Sequence, residues 1–195
     1  MRLFVALDIE DGIREKIARF MEGVRGFAPG ARWVRSESLH VTLKFIGEKP
    51  AETLESIRRA LASVHGSSME VTFREYGFFP TAKAARVFWV GVRSGPELEN
   101  LAREVDRALV SCGVAGEERG FSPHLTLARG GGRSGAPGWR EGNGSSRNFR
   151  VLLEKLAAFE TPDFGTMTAR EFFLYESKLA RGGSVYTKVA RFALG

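Results

Sequence analysis

Two histidines and two threonines pose the first question. His40-Val41-Thr42-Leu43 recurs as His124-Leu125-Thr126-Leu127, 84 residues later. Each motif lies in an apolar stretch that reads as a strand, over residues 39–46 and 121–128. In a strand, residues two apart project from one face. His40 and Thr42 therefore point one way, while Val41 and Leu43 point into a core; His124 and Thr126 stand likewise against Leu125 and Leu127. An imidazole or hydroxyl needs hydrogen-bond partners when buried, so the His/Thr faces look onto solvent or a cleft. Two imidazoles with ordinary pKa values of about 6.5 can divide acid–base work, one taking a proton from water and one giving a proton to a departing sugar oxygen. Threonine hydroxyls can donate to the non-bridging oxygens of a phosphoester as charge grows there. This chemistry calls for no metal or other cofactor. The chain has three His and one Cys and lacks His-Glu-x-x-His and similar dense ligand spacings.

Other residues are candidates by their position. Arg129 directly follows the second motif and is placed to clamp a phosphate. Lys44 shares the expected face of His40 and Thr42, to contact phosphate or pair with an acid, and Ser122 lies on the face of His124. Tyr175, Ser177 and Tyr186 are substrate-contact candidates in a C-terminal hairpin. Phe45, Phe79 and Trp89 read as core unless exposed beside the cleft, where a ring can stack a base. Asp8 and Glu10 are candidates for orienting an imidazole. His65 ends a predicted helix before Gly66, where the dipole and capping favour it, and has no catalytic role. Cys112 reads as a small buried hydrophobe.

The positioning elements follow from periodicity. Residues 3–7 form a short apolar strand. Ile13, Ile17, Phe20, Met21 and Val24 fall at helical spacing, with Asp11 as N-cap. A helix after Pro50 carries Leu54, Ile57, Leu61 and Val64, and residues 70–79 and 85–92 read as strands. A helix after Gly95-Pro96 carries Leu98, Leu101, Val105 and Leu109, and another holds Phe149, Leu152, Leu153 and Leu156. Residues 171–177 and 185–192 form a closing hairpin across Gly182-Gly183. Between the motif arginine and the last helix, residues 129–146 form a basic, glycine-rich loop by composition. Phe4 maps onto Phe88 and Ile17 onto Leu101 at the spacing of the motifs. Strand, helix and His-x-Thr strand thus occur twice, in repeats of about 3–84 and 87–193, and two such copies would give lobes about an approximate twofold axis.

Composition bounds the class. A chain of 195 residues with 43% hydrophobic and 27% charged residues is globular and long enough for a sizeable core. One cysteine excludes a disulfide-stapled scaffold. Without a signal h-region or a membrane-length apolar run, a soluble, cytoplasmic protein is expected, by default a monomer. The net charge of +6, carried by 22 Arg against 7 Lys, gives mild support to an anionic partner.

The two motifs with their flanks resemble the 2H phosphoesterases. Among these, the chain is most similar to the RNA 2′,3′-cyclic phosphodiesterases, also called 2′-5′ RNA ligases. The likeness runs through Arg2–Asp8, Leu39–Glu48, Phe121–Arg129 and the hairpin with Tyr175-Glu176-Ser177 and Tyr186-Thr187. It implies a bilobal α+β fold of two antiparallel sheets flanked by helices, with pseudo-twofold symmetry and both motifs in a central cleft. It implies hydrolysis of a terminal RNA 2′,3′-cyclic phosphate to a 2′-phosphomonoester, with His40 as proton donor and His124 as acceptor. The reverse reaction would join RNA through a 2′-5′ linkage. On physical grounds alone the twofold leaves the two roles interchangeable. The partner implied is RNA with a cyclic phosphate end, tRNA halves among the candidates, though the long glycine–arginine loop departs from the family pattern. Competing readings are a non-catalytic RNA-binding module and a phosphodiesterase for a small cyclic nucleotide.

Overall fold

Alternating apolar residues build two antiparallel sheets on a shared core. A computed structural model describes residues 1–130, 145–181 and 183–195; the rest of the glycine–arginine segment and Gly182 lie outside the described residues. In chain order the elements are β1 (Arg2–Leu7), α1 (Asp11–Val24), β2 (Arg32–Trp33), β3 (Val41–Glu48), α2 (Leu54–Ala62), β4 (Met69–Phe79), β5 (Val87–Arg93) and α3 (Pro96–Val110). They continue with β6 (His124–Arg129), α4 (Ser145–Leu156), β7 (Asp163–Ala169), β8 (Glu171–Ala180) and β9 (Gly183–Ala193). One sheet runs β3-β1-β8-β9, the other β2-β6-β5-β4-β7. The fold is α+β.

Helices cover the back faces. Ile13, Ile17, Met21 and Val24 bury one stripe of α1, which packs near β7. Leu98, Leu101, Ala102, Val105 and Leu109 bury one face of α3, which lies against β3 and α2. Leu3, Val5 and Leu7 of one sheet and Phe88, Val90, Leu125 and Leu127 of the other belong to one continuous apolar core. A small second cluster of Phe4, Ala6, Phe173 and Tyr175 occupies the opposite face of the four-stranded sheet, with Tyr186 packed on it. Among the described residues, no helix is long and apolar enough to cross a membrane.

Three expectations change. Asp11 does not cap α1 but is its first residue; Glu10 holds the N-cap position without a side-chain bond. β7 was not visible as a strand, because Asp163-Phe164-Gly165-Thr166 alternates weakly and Gly165 takes φ 104°. The mapping of Phe4 onto Phe88 fails by one residue. Phe4 lies in the small cluster and Phe88 in the main core, so they occupy opposite kinds of face. The ladders align other residues with the motif threonines: Ala6 stands opposite Thr42 and Trp89 opposite Thr126. A one-residue slip in a strand exchanges its faces.

The two motif strands share an irregularity. Val5 and Ala6 pair with Lys44 and Thr42, passing over Leu43. Phe88 and Trp89 pair with Ala128 and Thr126, passing over Leu127. Each strand therefore bulges at the residue after its threonine, and beyond a bulge the alternation of faces shifts by one.

Candidate active site

The bulges decide what surrounds each histidine. Past Leu43, Phe45 takes the place expected of Lys44: it pairs with Phe4 on the His/Thr side and is 62% exposed. Past Leu127, Arg129 falls on the corresponding side, opposite Val87, while Ala128 is buried against Phe88. Lys44 is turned to the α3 side. Its Nζ donates to the Ala115 carbonyl at 2.8 Å, and lies 2.6 Å from Asp106 Oδ1 and 3.7 Å from Glu117 Oε2. Of the two roles the sequence left to Lys44, the structure shows the pairing with an acid, on a wall of the cavity described below. Burial opposes ionisation of Asp106, but the Lys44 hydrogen bond, the Glu117 N–H and the Lys44 charge outweigh it and hold the carboxyl below its ordinary range.

Both imidazoles are oriented in the same way. His40 Nδ1 lies 2.7 Å from the Ser38 carbonyl oxygen, and His124 Nδ1 lies 2.8 Å from the Ser122 carbonyl oxygen. A carbonyl only accepts, so Nδ1 carries a proton in each ring. Each Nε2 is left to act, with a lone pair when the ring is neutral and an N–H when it is charged. Ser122 thus serves through its backbone; its side chain lines the cavity described below. The serine two residues before each histidine was the available sequence signal for this lock. Asp8 and Glu10 do not supply it. Asp8 Oδ1 accepts from Arg14 Nη2 at 2.6 Å and from the Ile9 N–H at 2.9 Å, while its other oxygen meets Lys188.

Arg14 was missed by the sequence reading. From α1 it donates to the carbonyls of Ser36 at 2.6 Å and Leu39 at 3.3 Å, besides Asp8. It thereby fixes the 3-10 turn Ser36–Ser38 that carries the oxygen holding His40. No motif marks it, because the contacts that hold the turn go to backbone carbonyls more than twenty residues away.

Aromatic rings pack against both imidazoles. His40 has Phe4 at 4.8 Å between ring centroids, Tyr186 edge-on at 5.2 Å and Tyr175 at 6.3 Å. His124 meets Phe79 edge-on at 4.9 Å, and Phe79 leans on Trp89 at 5.0 Å. Tyr175 is buried and stacked behind Phe4 at 5.1 Å, which makes it a backing for the site and not part of its surface. Burial raises its phenol pKa, with the Asp8 charge adding to the effect. Ser177 stands opposite Tyr186 and Arg2. His65 is exposed and remote in sequence from these elements, and Cys112 is half-buried against the core, less covered than expected.

These surroundings shift both titrations down. Burial dominates for His40 and lowers its pKa to about 4, with Arg129 and Arg14 adding to the fall; the Ser38 carbonyl and Asp8 oppose it. Burial also dominates for His124 and lowers it, Arg129 contributing and the Ser122 carbonyl opposing. Arg129 thus bears on both imidazoles. Its own guanidinium is shifted down by desolvation, with Arg32 and Arg2 adding and Tyr186 opposing. Among the described residues, neither Thr42 nor Thr126 spends its hydroxyl on a protein partner, and both are half-buried. β3 and β6 approach each other, and a cavity of about 370 Å³ beside them is lined by Thr42, Phe45, Ser122, His124, Asp106 and Arg119 among others. Among the described residues, no three His, Cys, Asp or Glu side chains group as metal ligands.

Comparison with known proteins agrees in sequence and in shape. The model of a family described as LigT like phosphoesterase matches two consecutive stretches, residues 7–89 and 90–186. An RNA 2′,3′-cyclic phosphodiesterase of Archaeoglobus fulgidus is 32% identical over 186 residues, covering 95% of this chain and 96% of that protein. A protein of the same name from Methanothermobacter thermautotrophicus is 30% identical over 196 residues, covering 100% and 99%. Among solved structures, E. coli LigT complexed with 3′-AMP superposes with a TM-score of 0.75 at 28% identity, covering 99% of this chain and 97% of that one.

Proposed function

This chain belongs to the LigT-like phosphoesterase family, and from that premise we propose that it hydrolyses a terminal RNA 2′,3′-cyclic phosphate to a 2′-phosphomonoester by paired histidine acid–base catalysis. The matched backbone locks on His40 and His124 carry the reading, because each leaves an Nε2 to transfer a proton. The neutral Nε2 of His124 takes a proton from water as the water oxygen bonds to phosphorus. The phosphorus–O3′ bond breaks, and the Nε2–H of His40 gives its proton to O3′. Thr42 and Thr126 donate to the non-bridging oxygens, and Arg129, with Tyr186 beside it, meets the added negative charge.

Burial and Arg129 favour neutral rings, so the acid must gain its proton with the substrate. A phosphodiester anion offsets the Arg129 charge that depresses both histidines and draws a proton onto one of them. Exchange of the attacking water for the 5′-hydroxyl of another RNA runs the same proton transfers toward a 2′-5′ linkage, so one site accommodates hydrolysis and ligation. The halves read as diverged copies of one unit. The tandem family match and the parallel strand orders β3-β1-β8 and β6-β5-β4 support that reading.

The test is product analysis of an oligoribonucleotide with a defined cyclic phosphate end, resolved by phosphorus NMR. Conversion to a 2′-phosphomonoester, lost in His40→Ala and in His124→Ala, is expected. An unchanged end, the mark of a binding module without turnover, overturns the proposal; so does a 3′-phosphomonoester product.

A further inference from the structure

The five-stranded sheet begins with an edge strand of two residues, and its construction is one-sided. Trp33 holds the core side of β2: its ring meets Phe88 edge-on at 5.9 Å and its Nε1–H donates to the Ala28 carbonyl at 3.0 Å. The following Val34 N–H donates to the Leu127 carbonyl at 2.8 Å. Trp33 pairs with the buried Ala128, so Arg32 pairs with Arg129 on the opposite side, the side of His124 and Thr126. Both guanidinium residues are exposed. Directly opposed like charges on neighbouring strands destabilise a sheet. Among the described residues, no carboxylate forms an ion pair with Arg32, Arg129 or Arg2. Arg2 shares the cleft-side face of β1 with Phe4 and Ala6. An anchored two-residue strand therefore presents a second, uncompensated guanidinium beside the one already assigned to the reacting phosphate.

We propose that Arg32 and Arg129 form a two-phosphate clamp, in which Arg32 binds the internucleotide phosphate on the 5′ side of the terminal nucleotide. The inference rests on the function proposed above and narrows its substrate to an RNA strand in preference to a lone nucleotide. Directly paired strand residues stand about 4.5–5.5 Å apart at their Cα atoms, so two flexible guanidinium side chains there reach successive phosphates of one strand. The guanidinium fork matches two phosphate oxygens. A bound strand also removes the repulsion that the empty clamp carries.

The experiment compares Arg32→Gln with wild type on three substrates. These are a mononucleotide 2′,3′-cyclic phosphate, a trinucleotide ending in the same group, and that trinucleotide with a neutral methylphosphonate at its last internucleotide linkage. The ratio of kcat/KM for trinucleotide over mononucleotide falls about tenfold in Arg32→Gln, as for the loss of one charge-assisted contact. The methylphosphonate substrate shows that lower ratio already in wild type and changes little further in the variant. The salt dependence for the charged trinucleotide falls by about 0.7 in log–log slope. The unfolding midpoint of Arg32→Gln is not lowered, in contrast with the loss of a structural arginine. Equal losses on mononucleotide and trinucleotide, or none on either, overturn the clamp. If wild type turns over none of the substrates, the proposed function falls, and the clamp is then read by anisotropy of a labelled trinucleotide with a 2′-phosphate end. Weaker binding by Arg32→Gln supports it, and unchanged binding overturns it.

Discussion

Each motif histidine is made directional by a single backbone oxygen. The Ser38 and Ser122 carbonyls engage Nδ1 and leave Nε2 outside that bond, and burial with Arg129 sets how readily the ring holds a second proton. The pairing of the motifs was legible in the sequence because the residue types and their spacing repeat. The locks were not, because any residue at position 38 or 122 offers a carbonyl; only the folded turn aims it. The depressed pKa values predict a specific pH dependence. The profile of kcat/KM reports the free enzyme, which under the proposed mechanism holds one proton between its two imidazoles. With both shifted down, kcat/KM is expected to peak below pH ~6.5. The kcat profile should lie at higher pH, because bound phosphate offsets Arg129. Steady-state kinetics from pH 4 to 9 on one cyclic-phosphate RNA checks this, and coincident profiles centred above neutrality contradict it.

Strand type and approximate extent were readable from alternation, but the bulges at Leu43 and Leu127 were not, since they depend on the partner strand. Their consequence is concrete: alternation alone puts Lys44 on the cleft face, and the bulge gives that place to Phe45. Lys44 instead ties β3 to α3 through Asp106 with its side chain 5% exposed. Removing one member of a buried ion pair leaves the other charge uncompensated. Asp106 keeps solvent contact and the Glu117 N–H, so Lys44→Met is expected to lower unfolding stability by about 2 kcal/mol while kcat for the folded enzyme stays within about threefold, the Nε2 atoms and Arg129 being untouched. Urea unfolding and active-site-normalised rates separate the two. A variant of unchanged stability but much lower kcat would return Lys44 to the substrate. β7 and β2 escaped notice for a related reason. A strand of two residues, or one with a glycine at positive φ, is defined by its neighbours more than by its own pattern.

For the whole chain, the two buried imidazoles tie stability to pH. An unfolded histidine titrates near pH 6.5, whereas His40 in the folded chain titrates at about 4. Above the first value both states are neutral and pH has no effect through this group. Between the two values the unfolded chain binds the extra proton, so stability falls as pH falls, on the order of 2–3 kcal/mol by the lower end. His124 acts in the same direction. Asp8 and Asp106 have lowered pKa values, so their contributions are lost only at lower pH, below the ordinary carboxylate range. Denaturant unfolding at pH 7 and pH 5 is expected to show a clear loss in wild type and a smaller one in His40→Gln; equal losses would remove His40 as the cause. The two-sheet α+β plan was legible from the repeated strand and helix patterns and from the family resemblance. The alignment of β1 and β5 with the motif strands was not, because their ladder partners stand one residue away from the spacing of the motifs.

In the proposed mechanism His40 and His124 act together on one phosphorus. The most direct measurement of this is kcat/KM on a single cyclic-phosphate RNA for His40→Asn, His124→Asn and the double variant. If the rings are acid and base of one step, each single variant loses about 10²–10⁴-fold, and the double variant loses little beyond the worse single one. A single variant near wild-type activity, or losses that multiply in full in the double variant, would contradict the account.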